Sequence, residues 1–309
     1  MLTVYKDQDG KLQKTEELQS QCWIRVVNPS PEEISTLCQR YSIPTNFISD
    51  SLDVHERARV ETEDGIRLIL MRVPVFEEHL DVEYTTIPLG IIIANDVVIT
   101  VSSRETDTIQ PFVLGKVKNL CLEKKNRFVL QIAYQASKLY LTYLERINFK
   151  TNALEEELHK SLKNEALVKL LNLEKSLVFF TTSLRSNELM LERLQKQEAK
   201  NFIEDDVDLL DDVVIETRQA IEMANIYSNI LSGLMDAFAS IISNNLNIVM
   251  KFLTAATIIL MIPNLIASIY GMNIGLPLQE NPMVFMFIIV LSVWLSLVTV
   301  VVFLRRNFI

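Results

Sequence analysis

Polar side chains recur along the C-terminal third of the sequence at alternating steps of four and three residues. This spacing has a period near 3.5 residues, which keeps the side chains on one face of a helix. Hydroxyl and amide oxygens on such a face can accept hydrogen bonds from the water around a hydrated cation, and methionines among them can close a passage by excluding water. This face, called the polar stripe below, therefore predicts the lining of an ion pathway. Its members are Asp236, Ser240, Ser243, Asn247, Met250, Thr254, Thr257, Met261, Asn264 and Ser268.

Small polar residues on a membrane helix also have a second interpretation, because they allow neighbouring helices to pack closely and to hydrogen-bond with each other. For isolated Thr and Ser residues, packing is the more common role. The polar stripe, however, continues from Asp236 to Ser268 over about nine helical turns, and this continuity favours a pore.

Two apolar runs, Phe252–Tyr270 and Met283–Leu304, are each long enough to cross a bilayer as a helix, which takes about 20 residues. The first run carries the membrane part of the polar stripe, and Glu280 is the single charged residue between positions 252 and 304. The short connection predicts a helical hairpin with spans at 252–271 and 283–304; the alternative is a pair of buried core helices. Because two spans cannot enclose a channel, a pore requires several copies of the chain around an axis.

Basic residues flank this hairpin on one side of the membrane. Lys251 precedes the first span, Arg305 and Arg306 follow the second, and the connection contains no Lys or Arg. Positive charge marks the cytoplasmic side. The sequence therefore predicts a multi-pass protein of the cell (inner or plasma) membrane with both termini in the cytoplasm.

The residues ahead of the hairpin are polar and acidic. All but three of the 30 Lys and Arg residues, and all but one of the 39 Asp and Glu residues, precede Lys251. This acidity argues against binding of nucleic acid. The sequence has no Gly-rich phosphate-binding loop that would indicate a nucleotide-using enzyme. Its His and Cys residues show no regular spacing that would indicate a resident metal site. We therefore expect a protein that is not an enzyme and whose partners are the lipid bilayer and divalent cations.

The N-terminal half is predicted to contain two segments. Residues 1–110 are expected to form a cytosolic α/β domain, with strands between about 20 and 103 and short helices at 31–41 and after Pro44. Residues 111–204 are expected to form an antiparallel helical hairpin that begins after Pro111 and turns near Lys163 and Asn164, because apolar residues recur there at helical spacing.

The C-terminal half is predicted to contain a long stalk helix and the transmembrane hairpin. The cytosolic part of the stalk covers residues 205–250, and its helical periodicity continues into the first span, within the hairpin at 251–309. A second face of the stalk, from Val214 to Ile242, is apolar and predicts a packing seam. The fold class is thus an α+β membrane protein with an α/β cytosolic domain, a stalk helix and two C-terminal transmembrane helices.

The first span ends in Gly271-Met272-Asn273. A Gly-Met-Asn tripeptide ahead of a second C-terminal span resembles the signature of the CorA-type magnesium and divalent-cation transporter family. The segments from Asn247 to Asn273 and from Asp53 to Glu61 are also similar to that family, so the resemblance covers essentially the whole chain. It implies a homopentameric funnel that takes up hydrated Mg²⁺ passively, driven by the membrane potential, through a pore lined by the first span.

The resemblance also implies roles for individual residues. Gly271, Met272 and Asn273 would form the selectivity filter at the outer mouth, with Gly271 allowing the turn that presents Asn273. A narrow gate maps onto Met250 and Leu253, with Met261 deeper in the membrane, and rings at the inner entrance map onto Asn247 and Asp236. Thr254, Thr257, Asn264 and Ser268 would line the rest of the pore. Cytosolic Mg²⁺ would be sensed between subunits by Asp50 and Asp212.

Some positions differ from the family pattern and leave the transported ion open. The loop Ile274–Pro282 has one acidic residue, Glu280, where the family often has several, position 264 is Asn where Thr is common, and Ser49 replaces a second carboxylate beside Asp50. One alternative is transport of Zn²⁺, Co²⁺ or Ni²⁺ on the same architecture. Another is a membrane-anchored sensor or scaffold that conducts no ions.

Overall fold

The computed structural model of the chain describes residues 1–8, 11–15, 21–160, 164–198, 204–275 and 282–306. The chain divides into two units, Met1–Leu234 and Met235–Ile309.

A mixed sheet of seven strands lies at the centre of the first unit, in the order β2-β1-β3-β7-β6-β5-β4. The pair β3 and β7 is parallel, with Trp23 opposite Val98, and the other neighbouring pairs are antiparallel. The strands are β1 (Leu2–Gln8), β2 (Lys11–Thr15), β3 (Cys22–Val27), β4 (Arg59–Glu63), β5 (Ile66–Phe76), β6 (Tyr84–Ala94) and β7 (Val97–Ser102).

The first two strands were not predicted from the sequence, which indicated strands only from about residue 20. β1 pairs with β3 along Leu2–Lys6, and this pairing buries Val4 and Tyr5. Residues 1–15 are mostly polar, so their sequence does not indicate a strand. β1 is recognised only through its pairing with β3, which is separate in sequence.

Two short helices cover one face of the sheet: α1 (Pro31–Tyr41) and α2 (Thr45–Leu52). α1 begins with a capping box, in which the Ser30 hydroxyl accepts from Glu33 N–H and the Glu33 carboxylate accepts from Ser30 N–H. The predicted helix over 31–41 is confirmed. α2 lies very close to β6, because Gly90 has no side chain; a β-carbon there would lie 1.8 Å from Ser51 Oγ.

The opposite face is covered by the one-turn helix α3 (Gln110–Val113) and by two longer helices, α4 (Lys125–Lys160) and α5 (Asn164–Glu198). The rings of Tyr140 in α4 and Phe180 in α5 meet edge to face at 5.0 Å. The expectation of helix directly after Pro111 is wrong for residues 114–124, which are not helical. Gly115 and Asn119 have positive φ angles of 64° and 55° there, which an α-helix does not accept. Of the predicted turn, Lys163 lies outside the described residues.

The core between the sheet and these longer helices is centred on Trp23, which is fully buried. Tyr5 stacks on its ring at 4.9 Å, and Phe128 meets it edge to face at 5.4 Å. The indole N–H donates to the Thr100 hydroxyl at 2.9 Å. This hydrogen bond joins the parallel strands β3 and β7 and satisfies a polar group that would otherwise be buried without a partner.

Two helices follow, α6 (Glu204–Tyr270) and α7 (Pro282–Arg305). Each contains a stretch long and apolar enough to cross a membrane, and only 6% of each stretch is buried within the chain. The predicted seam on α6 is confirmed as far as Phe238: Thr217, Ala224, Leu231 and Phe238 are buried, whereas Ile242 is exposed. The predicted fold class is thus confirmed. The pentamer remains a prediction.

We predict that Thr100→Val lowers the free energy of unfolding by about 1–3 kcal/mol, because the buried Trp23 N–H loses its acceptor while the side chain keeps its shape. Urea unfolding of the full chain in detergent, followed by Trp23 fluorescence in a Trp294→Phe background, measures the change. Thr62→Val on β4 is the control: its side chain is exposed, and its effect should stay within about 0.5 kcal/mol. Equal effects of the two substitutions would contradict the role of Thr100.

Candidate ion pathway

The polar stripe lies on α6 within the second unit, and all ten of its side chains are exposed in the single chain. Another face of the same helix is covered: Ala255 is fully buried, and Ile259, Ile262 and Ile266 are half-buried. Since polar groups that face lipid are costly, the exposed stripe requires contact with water or with another protein surface.

Two threonines of the stripe have their hydroxyl hydrogens directed to the helix backbone. Thr254 Oγ1 donates to the carbonyl of Met250 at 2.8 Å, and Thr257 Oγ1 donates to the carbonyl of Leu253 at 2.8 Å. Because a hydroxyl has one hydrogen and two lone pairs, each Oγ1 then offers acceptor capacity to the exposed face. Acceptors are suited to the outward-pointing hydrogens of water molecules around a cation.

A proline interrupts the hydrogen-bond pattern of α6 inside the membrane segment. Pro263 has no N–H, so the carbonyl of Ile259 loses its usual donor four residues ahead. Ser296 of α7 supplies a donor: its Oγ lies 3.5 Å from the Ile259 carbonyl oxygen. The two membrane helices therefore meet at the point where the backbone of α6 lacks a partner.

The tripeptide lies directly after α6, and all three of its residues are exposed. Gly271 N–H donates to the carbonyl of Ala267 at 2.9 Å, and Met272 N–H donates to that of Ile269 at 3.4 Å. Gly271 does not adopt a positive φ angle. A β-carbon at Gly271 would instead lie 3.1 Å from the Ala267 oxygen, so the glycine is explained by close approach to the last turn of the helix. Glu280 lies outside the described residues.

Asp50, predicted to sense Mg²⁺, is bound to a cation of its own chain. Its Oδ2 accepts from Arg59 Nη2 at 2.6 Å, Glu56 Oε2 accepts from Arg59 Nη1 at 2.6 Å, and Glu61 Oε2 accepts from Arg59 Nε at 3.1 Å. Three carboxylates thus share one guanidinium, an arrangement called the Arg59 fork below. Burial acts to lower the pKa of Arg59, but the hydrogen bonds to the carboxylates outweigh it and raise the pKa above its ordinary value.

A second arginine, Arg72, hydrogen-bonds to the backbone of the segment between Asp50 and Arg59. Arg72 donates to the carbonyls of Val54 and Glu56 at 2.5 and 3.0 Å, and to the Thr86 hydroxyl at 2.8 Å. Burial lowers the pKa of Arg72. The backbone around the fork is therefore positioned by the sheet, through β5 and β6.

Asp212, the second predicted sensing residue, is exposed on α6. Ser49, which stands where a further carboxylate was expected, donates to the Asn46 carbonyl at 3.1 Å. Within the part of the chain that the structure describes, no group of three or more His, Cys, Asp or Glu side chains is placed to hold a metal ion. The single chain thus leaves Asp212 open to solvent and Asp50 paired with Arg59.

Comparison with known proteins agrees with these features. The model of the family "CorA-like Mg2+ transporter protein" matches residues 19–306. The chain belongs to this family. A curated relative, the "Cobalt/magnesium transport protein CorA" of Methanocaldococcus jannaschii, is 31% identical over 297 residues, covering 93% of this chain and 91% of the relative.

Two further comparisons extend the CorA-like assignment to sequence and fold. The protein of the same name from Thermotoga maritima is 25% identical over 256 residues, covering 81% of this chain and 72% of that protein. The complete structure of the CorA magnesium transporter from M. jannaschii superposes with a TM-score of 0.86 at 28% identity, over 100% of this chain and 99% of that one. The family resemblance predicted from the tripeptide is thus confirmed.

Sequence reasoning about this CorA-like chain missed two partners that the structure supplies. Arg59 lies in the segment Asp53–Glu61 that resembles the family, but its binding to Asp50 was not predicted, although opposite charges nine residues apart near a turn were the available signal. Ser296 was not singled out either. A proline in a membrane helix does indicate that its carbonyl partner needs another donor, but the sequence does not say which side chain provides it.

Proposed function

We propose that the chain assembles as a homopentamer and takes up Mg²⁺ passively along the polar stripe, driven by the membrane potential. The observation that supports this proposal best is the exposure of all ten stripe residues on the helix that ends at Gly271-Met272-Asn273. The membership of the chain in the CorA-like family supports Mg²⁺ as the substrate. Several copies placed around an axis would bring the stripes together and remove their polar groups from lipid.

The ion is proposed to pass with water around it. No acidic or basic residue belongs to the stripe between Met250 and Ser268, so the membrane part offers neutral acceptors instead of carboxylates. Mg²⁺ loses its water reluctantly, and the outward acceptors of Thr254 and Thr257 can bind that water. Asn264 and Ser268 continue the polar surface toward the outer mouth.

Other stripe residues, together with Leu253 and the tripeptide Gly271–Asn273, are proposed to form rings of different character. Asp236 and Asn247 attract the cation at the inner entrance, and Met250 and Leu253 form an apolar constriction that closes by excluding water. Met261 forms a second constriction, and the filter Gly271–Asn273 presents the Asn273 amide at the outer mouth. The flanking Lys251, Arg305 and Arg306 favour cytoplasmic termini in the cell membrane.

Co²⁺ is the second cation that the comparisons favour, because the M. jannaschii and T. maritima relatives are both named as cobalt/magnesium transport proteins. Zn²⁺ and Ni²⁺ are not named by these relatives. Uptake into liposomes with Mg²⁺ and each competing ion ranks the four cations. Flux of Zn²⁺ without flux of Mg²⁺ would reverse the proposed order.

We predict that Asn273→Ala lowers Mg²⁺ uptake into proteoliposomes by about tenfold. Hydrogen bonds to charged partners are worth roughly 1.5–3 kcal/mol, and one ring of such bonds is lost. Initial rates with a Mg²⁺-sensitive dye inside the liposomes measure this change. The matched control is Asn245→Ala, an exposed asparagine of α6 outside the stripe, which should transport like the unchanged chain.

The same experiment tests the non-conducting alternative. A membrane-anchored sensor or scaffold would show no uptake in the unchanged chain, and it need not be a pentamer when its mass is measured in detergent. Absence of uptake would overturn the proposed transport function, and a mass other than that of five chains would overturn the proposed pentamer.

We further propose that cytosolic Mg²⁺ is sensed between neighbouring copies, by Asp50 of one and Asp212 of the next. A single chain gathers no metal-binding cluster among its described residues, which is consistent with a site that needs two chains. Opposed carboxylates repel each other, so a bound Mg²⁺ would hold the copies in a closed arrangement and its loss would release them. The Arg59 fork implies that Mg²⁺ has to compete with Arg59 for Asp50.

We predict that Asp50→Ala and Asp212→Ala each weaken the protection that Mg²⁺ gives the purified protein against proteolysis. The reason is that each substitution removes one of the two carboxylates that bind the ion. The fraction of intact chain, measured by gel against Mg²⁺ concentration, reports the effect. Asp208→Ala, another exposed aspartate of α6, is the control. Full protection in both variants would remove the sensing assignment.

We also predict that Arg59→Gln lowers the Mg²⁺ concentration for half-protection by about two- to fivefold, because a partly exposed ion pair worth up to about 1 kcal/mol no longer competes for Asp50. Arg57→Gln removes the same charge from an exposed neighbour outside the fork and should shift the midpoint less. Equal shifts would mean that general electrostatics, and not competition at Asp50, determines the affinity. In the Asp50→Ala background, Arg59→Gln should have no further effect.

A further inference from the structure

The contact between Ser296 and the Ile259 carbonyl lies at a critical point of the proposed pathway. Pro263, which leaves that carbonyl without its helical donor, stands between the stripe residues Met261 and Asn264. A backbone carbonyl without a partner in hydrocarbon is unfavourable, so the α6 backbone depends on a donor from outside the helix at this position. Ser296 Oγ, 3.5 Å away, is in position to give it.

The surroundings of this contact allow the two helices to approach closely. Ser292, one turn before Ser296, is 7% exposed, and Ala255, one turn before Ile259, is fully buried. Small residues on both helices are typical of tight packing in membranes. The serine is therefore held against the carbonyl by the packing of its neighbours.

Thr299 shows that a hydroxyl on α7 does not need to serve α6. Its Oγ1 donates to the Leu295 carbonyl of its own helix at 2.9 Å, and its side chain is half-buried. Such local bonding is common for Ser and Thr in helices. A hydroxyl at 296, in contrast, links α7 to the single carbonyl that Pro263 deprives of its donor.

We infer that Ser296 is a positioning residue for ion passage. By donating to the Ile259 carbonyl, Ser296 fixes the α6 backbone where Pro263 removes a helical hydrogen bond, and it keeps the stripe residues before and after Pro263 aligned. This inference rests on the proposed conducting role of the stripe. Ser296 does not itself touch the ion. Its loss should disturb Asn264 and Ser268 relative to Met261, without altering the filter at Asn273.

A double-mutant cycle tests the inference. Ser296→Ala should lower the maximal rate of Mg²⁺ uptake into proteoliposomes by about threefold, the effect of losing an average hydrogen bond between membrane helices. The Mg²⁺ concentration for half-maximal uptake should not change. In a Pro263→Ala background, where residue 263 again has an N–H for the Ile259 carbonyl, Ser296→Ala should have no effect on the rate of that background.

Two further variants separate positioning from general packing. Ser296→Thr keeps the hydroxyl and should retain the rate, whereas Thr299→Val removes a hydroxyl that bonds within its own helix and should leave the rate unchanged. Equal losses from Ser296→Ala with and without Pro263, or an equal loss from Thr299→Val, would overturn the inference. If Ser296→Ala does not fold, Ser296→Cys, a weaker donor of similar size, replaces it in the cycle.

The outcomes distinguish this inference from the proposed function. Absence of uptake in the unchanged chain would contradict transport itself. Uptake in the unchanged chain, together with an unaltered rate in Ser296→Ala, would contradict only the role of Ser296.

Discussion

The cost of placing unsatisfied polar groups in hydrocarbon governs the membrane part of this chain. Thr254 and Thr257 satisfy their hydrogens on the backbone of α6, and the Ile259 carbonyl receives the hydroxyl of Ser296. What remains is the acceptor capacity of the stripe, which the single chain leaves exposed. A polar stripe that the single chain leaves exposed is unfavourable in lipid, and this is the physical reason to expect assembly.

The first unit is stabilised in a different way, by the burial of its sheet between two layers of helices. Trp23 anchors one layer, with its N–H paired to Thr100, and the close approach at Gly90 sets the other. The Arg59 fork lies on the segment that Arg72 fixes to β5 and β6, so the proposed sensing carboxylate Asp50 is attached to a rigid support.

Much of this architecture could be predicted from local sequence signals. The two spans, the helix that contains the first of them and the helix at 31–41 have strong local signals, namely long apolar runs, a 3.5-residue period and a capping box. β1 could not be predicted, since its apolar positions are identified only by pairing with β3. Residues 114–124 were expected to be helical because they belong to a segment in which apolar residues recur at helical spacing, whereas the positive φ of Asn119 has no clear sequence signal. The partners of Asp50 and of the Ile259 carbonyl depend on tertiary placement, which spacing along the chain does not reveal.

The close contact between α2 and β6 restricts how this chain can evolve. Because a β-carbon at position 90 would overlap Ser51 Oγ, no side chain enters there unless Ser51 becomes smaller or the whole helix rises from the sheet. Asp50 is the neighbour of Ser51 and would move with it. One methyl group added at this buried strand position would therefore displace a proposed regulatory carboxylate, and position 90 can gain a side chain in descendants of this sequence only if Ser51 or the placement of α2 changes with it.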